Sequence, residues 1–186
     1  MTTTSTQTYT GATTLTGNST LTTSSAQVTF SNTINSEGSE TNNLTVTASE
    51  LQLDGIVGGT RTLGVMDING TLDLNAAITN ATSIDVSSTS NLGANVTTSG
   101  TQTYTGATVL STDVTLTTTD SNVTFSSTVD GDGTARDLTI DTNGNTGTIL
   151  FDGLVGNSND LDAITITGNL DLDAAIANTT SISVSG

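Results

Sequence analysis

Short segments in which Val, Ile or Leu alternates with Thr, Ser, Asn or Asp recur along the whole chain. Alternation with a period of two points successive side chains to opposite faces of a β-strand, so that the aliphatic residues face inward and the polar residues face water. Clear examples are LTVTA from Leu44, LDLNA from Leu72, SIDVS from Ser83, VTLTT from Val114 and ITITG from Ile164. Because Gly, Asn, Asp or Ser follows each segment closely, the pattern predicts an all-β protein built from short strands.

The chain also repeats itself at long range. TQTYTGAT begins at Thr6 and again at Thr101, an interval of 95 residues. The last matching segment begins at Ile68 and again at Ile166, an interval of 98 residues. Segments that keep their spacing while a turn absorbs an insertion are typical of repeat architectures.

A shorter unit recurs inside each copy, in which a large apolar residue leads through small residues to a second apolar residue. Its starts are Tyr9, Phe30, Leu53, Leu74, Leu92, Tyr104, Phe125, Phe151 and Leu172. Most starts are roughly 20 residues apart, which suits one coil of a solenoid, but the interval from Leu92 to Tyr104 is much shorter. We therefore expect a β-solenoid, or parallel β-helix, of about nine coils of roughly 20 residues. Residues 1–97 would form copy one and residues 98–186 copy two of one continuous solenoid.

Composition favours a narrow interior. Aromatic residues make up 3% of the chain and Trp is absent, which leaves little to fill a wide core. Pro is absent too, as expected where nearly every backbone N–H is needed for pairing with a neighbouring coil. The competing fold is a tandem of two Ig-like β-sandwiches, because ~95 residues is also the length of such a domain. That fold explains the long interval but not the short one.

The charge and the missing residue types exclude several functions. The net charge is −16, and Arg61 and Arg136 are the only basic residues. Nucleic acids and anionic membranes are therefore not expected partners, because binding them requires Lys and Arg. No apolar run approaches the ~20 residues of a membrane span. Without His, Cys or Lys the usual nucleophile and base pairs cannot be built, so we expect no catalytic residues, no enzymatic activity and no bound organic cofactor.

The most specific candidate for chemistry is the turn VDGDGTARD, which supplies Asp130, Asp132 and Asp137 together with two glycines. Hard cations favour oxygen-rich turns of this kind, so calcium is the metal ion that these three residues would bind. The alternative is an acidic turn that simply faces water. The matching segment of copy one, NSEGSETNN, keeps acidic residues but loses the Asp spacing.

Threonine triplets of the form TxT raise the question of ice binding, because regular Thr arrays on flat β-solenoids can bind ice. Such a function needs the array on every coil. The triplets at residues 6–10 return at residues 101–105, an interval of several coils. Thr is also a common exposed strand residue, so the sequence favours other functions.

The run TQTYTGAT, TLTT, VTFS, DG-VG and LDL-AAI resembles the β-strand repeats of giant bacterial surface proteins, which include filamentous-haemagglutinin-like and autotransporter-type adhesins. The resemblance covers essentially the whole chain from Thr4 to Gly186. It implies a right-handed parallel β-helix, an extracellular location at the cell surface, and a role as a stalk, shaft or adhesive segment of a large secreted protein.

Two kinds of partner are expected for such a segment. Uncapped coils expose unpaired backbone groups, so copies of the chain could stack end to end into filaments. Glycans or proteins on a host or neighbouring cell could bind the loops at residues 35–43 and 58–64 and their counterparts at 130–137 and 156–162. Because these loops recur at matching places in the sequence, we expect them to project from one side of the rod. A glycan- or calcium-binding surface module is the alternative function.

Overall fold

The computed structural model describes residues 1–144 and 146–186, and these residues contain no helix. The chain winds into a β-solenoid of about nine coils, about 21 residues apart. Every strand pairing among the described residues is parallel. The predicted parallel β-helix is thereby confirmed, and a pair of antiparallel sandwiches is excluded.

The strands fall on three faces of the coil, which we name A, B and C. Face A contains β1 (Thr2–Thr3), β4 (Ser19–Thr23), the first halves of β7 (Leu44–Leu53) and β8 (Leu63–Leu74), the second half of β9 (Ile78–Val86), β12 (Gln102–Tyr104), β15 (Val123–Phe125), β18 (Thr148–Phe151) and β20 (Asn169–Leu172). Face B contains β2 (Gln7–Tyr9), β5 (Gln27–Phe30), the second halves of β7 and β8, β10 (Ser90–Leu92), β13 (Thr108–Leu110), β16 (Val129–Gly131), and single bridges at Val155 and Ile176. Face C contains β3 (Thr13–Leu15), β6 (Ile34–Ser36), a bridge at Val57, the first half of β9, β11 (Val96–Thr98), β14 (Val114–Thr117), β17 (Arg136–Asp141), β19 (Leu161–Thr167) and β21 (Thr179–Ser185).

Alternation along each strand builds the core. In β14, Val114 and Leu116 are buried, whereas Thr115 and Thr117 lie on the outside and are half-buried by their neighbours. Stacking such strands joins the inward residues into one hydrophobic cluster that runs from Leu15 to Ile166. Because a fully buried Val, Leu or Ile side chain contributes roughly 1.5–3 kcal/mol, many small contributions along this narrow core stabilise the fold.

The aromatic residues stack inside the rod on successive coils. Tyr9 lies over Phe30 with ring centroids 4.7 Å apart on face B. Tyr104, Phe125 and Phe151 form a longer stack on face A, with centroid distances of 5.2 and 5.3 Å. The two stacks begin from the same sequence, TQTYTGAT, but lie on different faces.

That difference explains the short interval between Leu92 and Tyr104. Leu92 lies on face B and Tyr104 on face A. The coils are short in this region, where Leu72 pairs with Ser90 and Ile84 pairs with Gln102. One whole coil crosses three faces. The chain from Leu92 to Tyr104 crosses only two, so the repeated unit moves from face B to face A at this point. Copy two is therefore turned by one face relative to copy one.

The prediction that matching loops project from one side of the rod is consequently wrong. Residues 35–43 and 58–64 connect face C to face A, whereas residues 130–137 and 156–162 connect face B to face C. The local sequence sets the shape of each corner. The number of residues between the copies determines the face on which each corner lies. This number is one face short of five whole coils.

Glycine permits the tightest corners. An ideal Cβ on Gly55 would lie 2.1 Å from the backbone carbonyl carbon of Asn32, one coil earlier, and one on Gly153 would lie 2.2 Å from that of Ser127. Any larger residue would push these coils apart, which explains why the glycine of LDGIV and FDGLV recurs.

Candidate functional site: the corner loops

Each corner loop is tied to the loop of the next coil by a side-chain oxygen. In copy one, Asn35 Oδ1 accepts hydrogen bonds from the backbone N–H groups of Thr60 (2.9 Å) and Arg61 (3.0 Å). In copy two, Asp130 Oδ1 accepts in the same way from the N–H of Ser158 (2.9 Å). The oxygen satisfies a backbone donor at a corner, where the regular ladder of strand hydrogen bonds is interrupted.

A second tie lies at the far end of each loop. Asn43 Oδ1 accepts from the N–H of Val65 at 2.9 Å. Asp137 Oδ1 accepts from the N–H of Ala163, also at 2.9 Å. We call these residues cross-coil caps, because each joins its own coil to the one above.

Three matching pairs of cross-coil caps differ in charge between the copies, although both members of each pair present a side-chain oxygen. The matching pairs are Asn18 and Asp113, Asn35 and Asp130, and Asn43 and Asp137. Each exchange of Asn for Asp keeps a hydrogen-bond acceptor. Sequence analysis did not identify this role, although the exchange of Asn for Asp at matching positions of the two copies indicated it.

The residues of the predicted calcium site take separate partners. Asp130 and Asp137 act as cross-coil caps, whereas Asp132 binds Arg136, with Oδ2 2.9 Å from Nη2 and Oδ1 3.1 Å from Nε. The guanidinium of Arg136 and the N–H of Thr134 lower the pKa of Asp132. Among residues 1–144 and 146–186, no group of three or more acidic side chains is placed to hold a metal ion. The structure thus does not gather the three carboxylates, and calcium binding stays a prediction.

A polar groove of about 300 Å³ lies between the two stacked loops of copy one. Its lining includes the hydroxyl-bearing residues Ser39, Thr41, Thr60 and Thr62, together with Glu40 and Arg61. Within the described part of the chain, Arg61 forms no ion pair, whereas Arg136 is paired with Asp132. The groove therefore offers hydroxyl groups, one carboxylate and one unpaired guanidinium to a ligand that forms hydrogen bonds.

A second groove, of about 330 Å³, lies in copy two between residues 156–162 and the last coil. Asp160, Leu161, Asn178 and Thr179 are among its lining residues. It does not match the first groove residue by residue, because one lies between two loops and the other beside the last coil. The two copies thus present different surfaces as well as different directions.

Outward-facing hydroxyl groups follow one another on face C more regularly than the sequence repeat indicated. One file consists of Thr115, Thr139, Thr165 and Ser183, and the neighbouring file of Thr117, Asp141, Thr167 and Ser185. The strands VTLT, LTID, ITIT and ISVS that carry them are not copies of TQTYT, so the search for that triplet missed them. Asp141 places a carboxylate within the second file. Thermal hysteresis is the measurement that tests ice binding.

Gln102 and Tyr104 form a hydrogen-bonded polar pair inside the rod. The side-chain amide of Gln102 donates to the carbonyl oxygens of Thr117 (2.9 Å) and Val96 (3.2 Å), and the hydroxyl of Tyr104 donates to Gln102 Oε1 at 3.1 Å. Burial raises the pKa of Tyr104, which keeps its hydroxyl protonated as a donor. This pair is structural, and sequence analysis did not identify Gln102 as an interior residue.

Comparisons with protein-family models, with curated proteins and with solved structures found no match to this chain. In the part of the chain that the structure describes, no helix has the length and apolar character needed to cross a membrane. Function is therefore inferred from the geometry of the rod and its corner loops.

Proposed function

We propose that this chain is a shaft segment of a large secreted bacterial surface protein, which holds other parts of that protein at a distance from the cell. The observation that carries the proposal is the continuous parallel ladder, because it runs from β1 to β21 around a single core. With about 4.8 Å between coils, about nine coils give a rod roughly 43 Å long. The proposal assigns no catalytic role to the chain.

Stiffness is the property that a shaft requires. Each coil is joined to the next by backbone hydrogen bonds on three faces and by cross-coil caps such as Asn43 and Asp137 at the corners. Bending the rod would have to lengthen hydrogen bonds on one side or compress close-packed side chains on the other. The ladder therefore supports a mechanical role.

The corner loops give the shaft lateral surfaces. Because copy two is turned by one face, the loops of the two copies point in different directions from the rod. We propose that these loops contact glycans or proteins on a host or neighbouring cell. A net charge of −16 opposes contact with nucleic acid or anionic membrane.

Surface labelling tests the proposed location and role. Antibodies raised against this chain should label intact cells of the source organism, and immunogold particles should lie away from the membrane. Antibodies against a cytoplasmic protein, used on the same cells, serve as the control for leakage. Labelling that requires permeabilised cells would overturn the proposal.

A glycan-binding module is the alternative function, and the groove beside Arg61 favours it, because its hydroxyl and charged groups suit a polyhydroxylated ligand. A glycan array probed with the chain and with Arg61→Ala distinguishes the two functions. Binding that disappears in Arg61→Ala but persists in Arg136→Ala would assign the groove to a glycan. Absence of binding on the array leaves the shaft role as the better explanation of the fold.

A further inference from the structure

The groove between the two corner loops of copy one has a first wall that is anchored from inside the rod. Asn42 is 6% exposed, and its side-chain amide donates hydrogen bonds to the carbonyl oxygen of Leu15, one coil earlier (2.8 Å), and to Glu40 Oε2 (3.3 Å). The backbone N–H of Asn42 donates to the hydroxyl of Ser36, which is also buried, at 2.9 Å. These bonds hold the loop in place and orient the carboxylate of Glu40.

The second wall, which contains Thr60 and Arg61, is held against the first. Asn35 Oδ1 accepts hydrogen bonds from the N–H groups of both residues, and the N–H of Gly64 donates to the carbonyl oxygen of Asn42 at 2.9 Å. Further coils lie on both sides of the two loops, because β4 pairs with β7 and β9 pairs with β8. The groove therefore belongs to interior coils and does not depend on either end of the chain. A site preformed in this way loses little freedom when it binds.

Arg61 brings to the groove a charge that the fold leaves unpaired. The chain carries 18 acidic residues and only two basic ones, yet among residues 1–144 and 146–186 the guanidinium of Arg61 forms no ion pair. A guanidinium presents parallel N–H donors that match the two oxygens of a carboxylate. In the same groove Glu40 offers acceptor oxygens, and the hydroxyls of Thr41 and Thr60 can donate and accept. The groove thus suits a ligand with one carboxylate and several hydroxyl groups.

The matching corner of copy two shows that this corner does not require Arg61 or Glu40. The cross-coil cap there accepts the N–H of Asn159 at 3.4 Å, as the cap of copy one accepts that of Arg61. Thr134 and Ala135 occupy the part of that loop where copy one has Glu40. Both charged groups of the groove are thus absent from a corner that keeps the same cap. The backbone of the corner therefore does not explain the two charges of copy one, whereas a ligand does.

We propose that this groove binds a sugar that carries a single carboxylate, such as a hexuronic acid or a sialic acid. The carboxylate lies on the guanidinium of Arg61, and the sugar hydroxyls lie on Glu40 and the threonines. One guanidinium neutralises one negative charge, and the net charge of −16 repels more highly charged ligands such as polysulfated sugars. A groove of about 300 Å³ is at the lower end of the range for ligand sites, which suits one or two sugar units. The inference rests on the proposed contact of the corner loops with glycans, and it names the class of glycan.

A titration followed by NMR tests both the ligand and its place. The ¹⁵N-labelled chain is titrated with D-glucuronate, D-galacturonate and N-acetylneuraminate, and separately with D-glucose and with acetate. At least one of the three acidic sugars should shift the amide signals of residues 38–41 and 60–62 and leave those of residues 157–160 in copy two unchanged. Glucose and acetate should bind at least tenfold more weakly, because glucose lacks the carboxylate and acetate lacks the hydroxyl groups.

Substitutions in the groove give a second readout. Arg61→Ala should lower the affinity for the acidic sugar at least tenfold, and Arg61→Lys should restore only part of it, because an ammonium group lacks the two parallel donors. Glu40→Gln keeps an acceptor oxygen and removes a like charge, so its affinity should be equal or higher. Arg136→Ala is the matched control and should bind within twofold of the wild type, because Arg136 is engaged with Asp132. Unshifted amide signals outside the groove show that each variant is folded.

Three results would each overturn the proposal. They are the absence of binding by all three acidic sugars, equal binding of glucose or acetate, and binding that survives Arg61→Ala. Antibody labelling of intact cells does not depend on any of these results, so the shaft role and the sugar site can fail separately.

Discussion

The ring of Tyr104 stacks on the ring of Phe125 with their centroids 5.2 Å apart and their planes 15° from parallel. Phe125 also stacks on Phe151, so it is the middle member of the aromatic stack on face A. Phe125→Ala should lower the free energy of unfolding by about 3–5 kcal/mol, since a narrow core has no neighbouring side chain free to fill the cavity. Urea unfolding followed by circular dichroism measures the change. Phe125→Leu is the control and should lose much less, because Leu fills most of the cavity, and equal losses would contradict the cavity explanation.

The hydroxyl of Tyr104 gives a prediction that separates hydrogen bonding from packing. Tyr104→Phe keeps the ring but leaves the buried Gln102 Oε1 without its donor, which should cost about 1–3 kcal/mol of unfolding free energy. Tyr9→Phe removes the matching bond to Gln7 in a half-exposed place where water can replace it, so its cost should be about 0.5 kcal/mol or less. Similar costs in urea unfolding for both variants would show that Gln102 Oε1 finds another donor.

The effect of replacing glycine by alanine on stability should depend strongly on which glycine is replaced. Gly153→Ala should destabilise the chain by more than about 2 kcal/mol, because the added methyl would lie 2.2 Å from the carbonyl carbon of Ser127. Gly17→Ala meets no atom within 4 Å and should change stability little or raise it by about 0.4–1 kcal/mol. Melting temperatures of the two variants, measured side by side, check the prediction. A Gly153→Ala protein as stable as Gly17→Ala would show that adjacent coils can separate at this corner.

As a cross-coil cap, Asp137 should need its hydrogen-bond acceptor oxygen but not its negative charge. Asp137→Asn retains an oxygen for the N–H of Ala163 and should change the unfolding free energy by less than about 0.5 kcal/mol. Asp137→Ala leaves that N–H without its partner and should cost about 1 kcal/mol.

A calcium titration of the wild-type chain and of Asp137→Asn completes this experiment. A rise in melting temperature with calcium that Asp137→Asn abolishes would assign Asp137 to a calcium site. An equal response of both proteins to calcium would leave the cap as its role.

The ion pair between Asp132 and Arg136 predicts a pH dependence. The bonds from Arg136 lower the pKa of Asp132 in the folded chain, so its contribution to stability is present above the unfolded pKa of about 4 and is lost as pH falls through the folded value. Arg136→Ala should therefore lose less stability between pH 7 and pH 3 than the wild type does. Arg61→Ala, which removes an arginine that has no ion pair within the described residues, should follow the wild-type curve. Because Asp132 is exposed, the difference should be small, and parallel melting curves for all three proteins would contradict it.

Much of the fold could be predicted from the sequence because its causes are local. Alternation in LTVTA and ITITG specifies strands, the spacing of roughly 20 residues specifies coils, and the absence of Pro suits a ladder in which each N–H is used. The turn of copy two by one face was not predicted. It depends on which face each strand occupies, since Leu92 lies on face B and Tyr104 on face A, and alternation within a strand does not identify the face.

The corner loops were harder to predict than the strands. Asp130, Asp132 and Asp137 were grouped by their spacing in the sequence, but two of them bind backbone groups of residues 26 to 28 positions later. Which oxygen meets which N–H depends on how two loops stack, and sequence spacing within one loop does not contain that information. The exchange of Asn for Asp between the copies indicates that these corners require a hydrogen-bond acceptor and not a charge.

The rotation between the copies determines where a longer array would carry its contacts. Repeated at the same interval, each further copy would shift its loops by another third of a turn, so the loops of the fourth copy would point in the same direction as those of the first. Such a rod would present loops on all sides, so a surface that approached from any direction would contact some of them. Many weak contacts spread in this way along one stiff body bind by avidity, without requiring the rod to rotate into place.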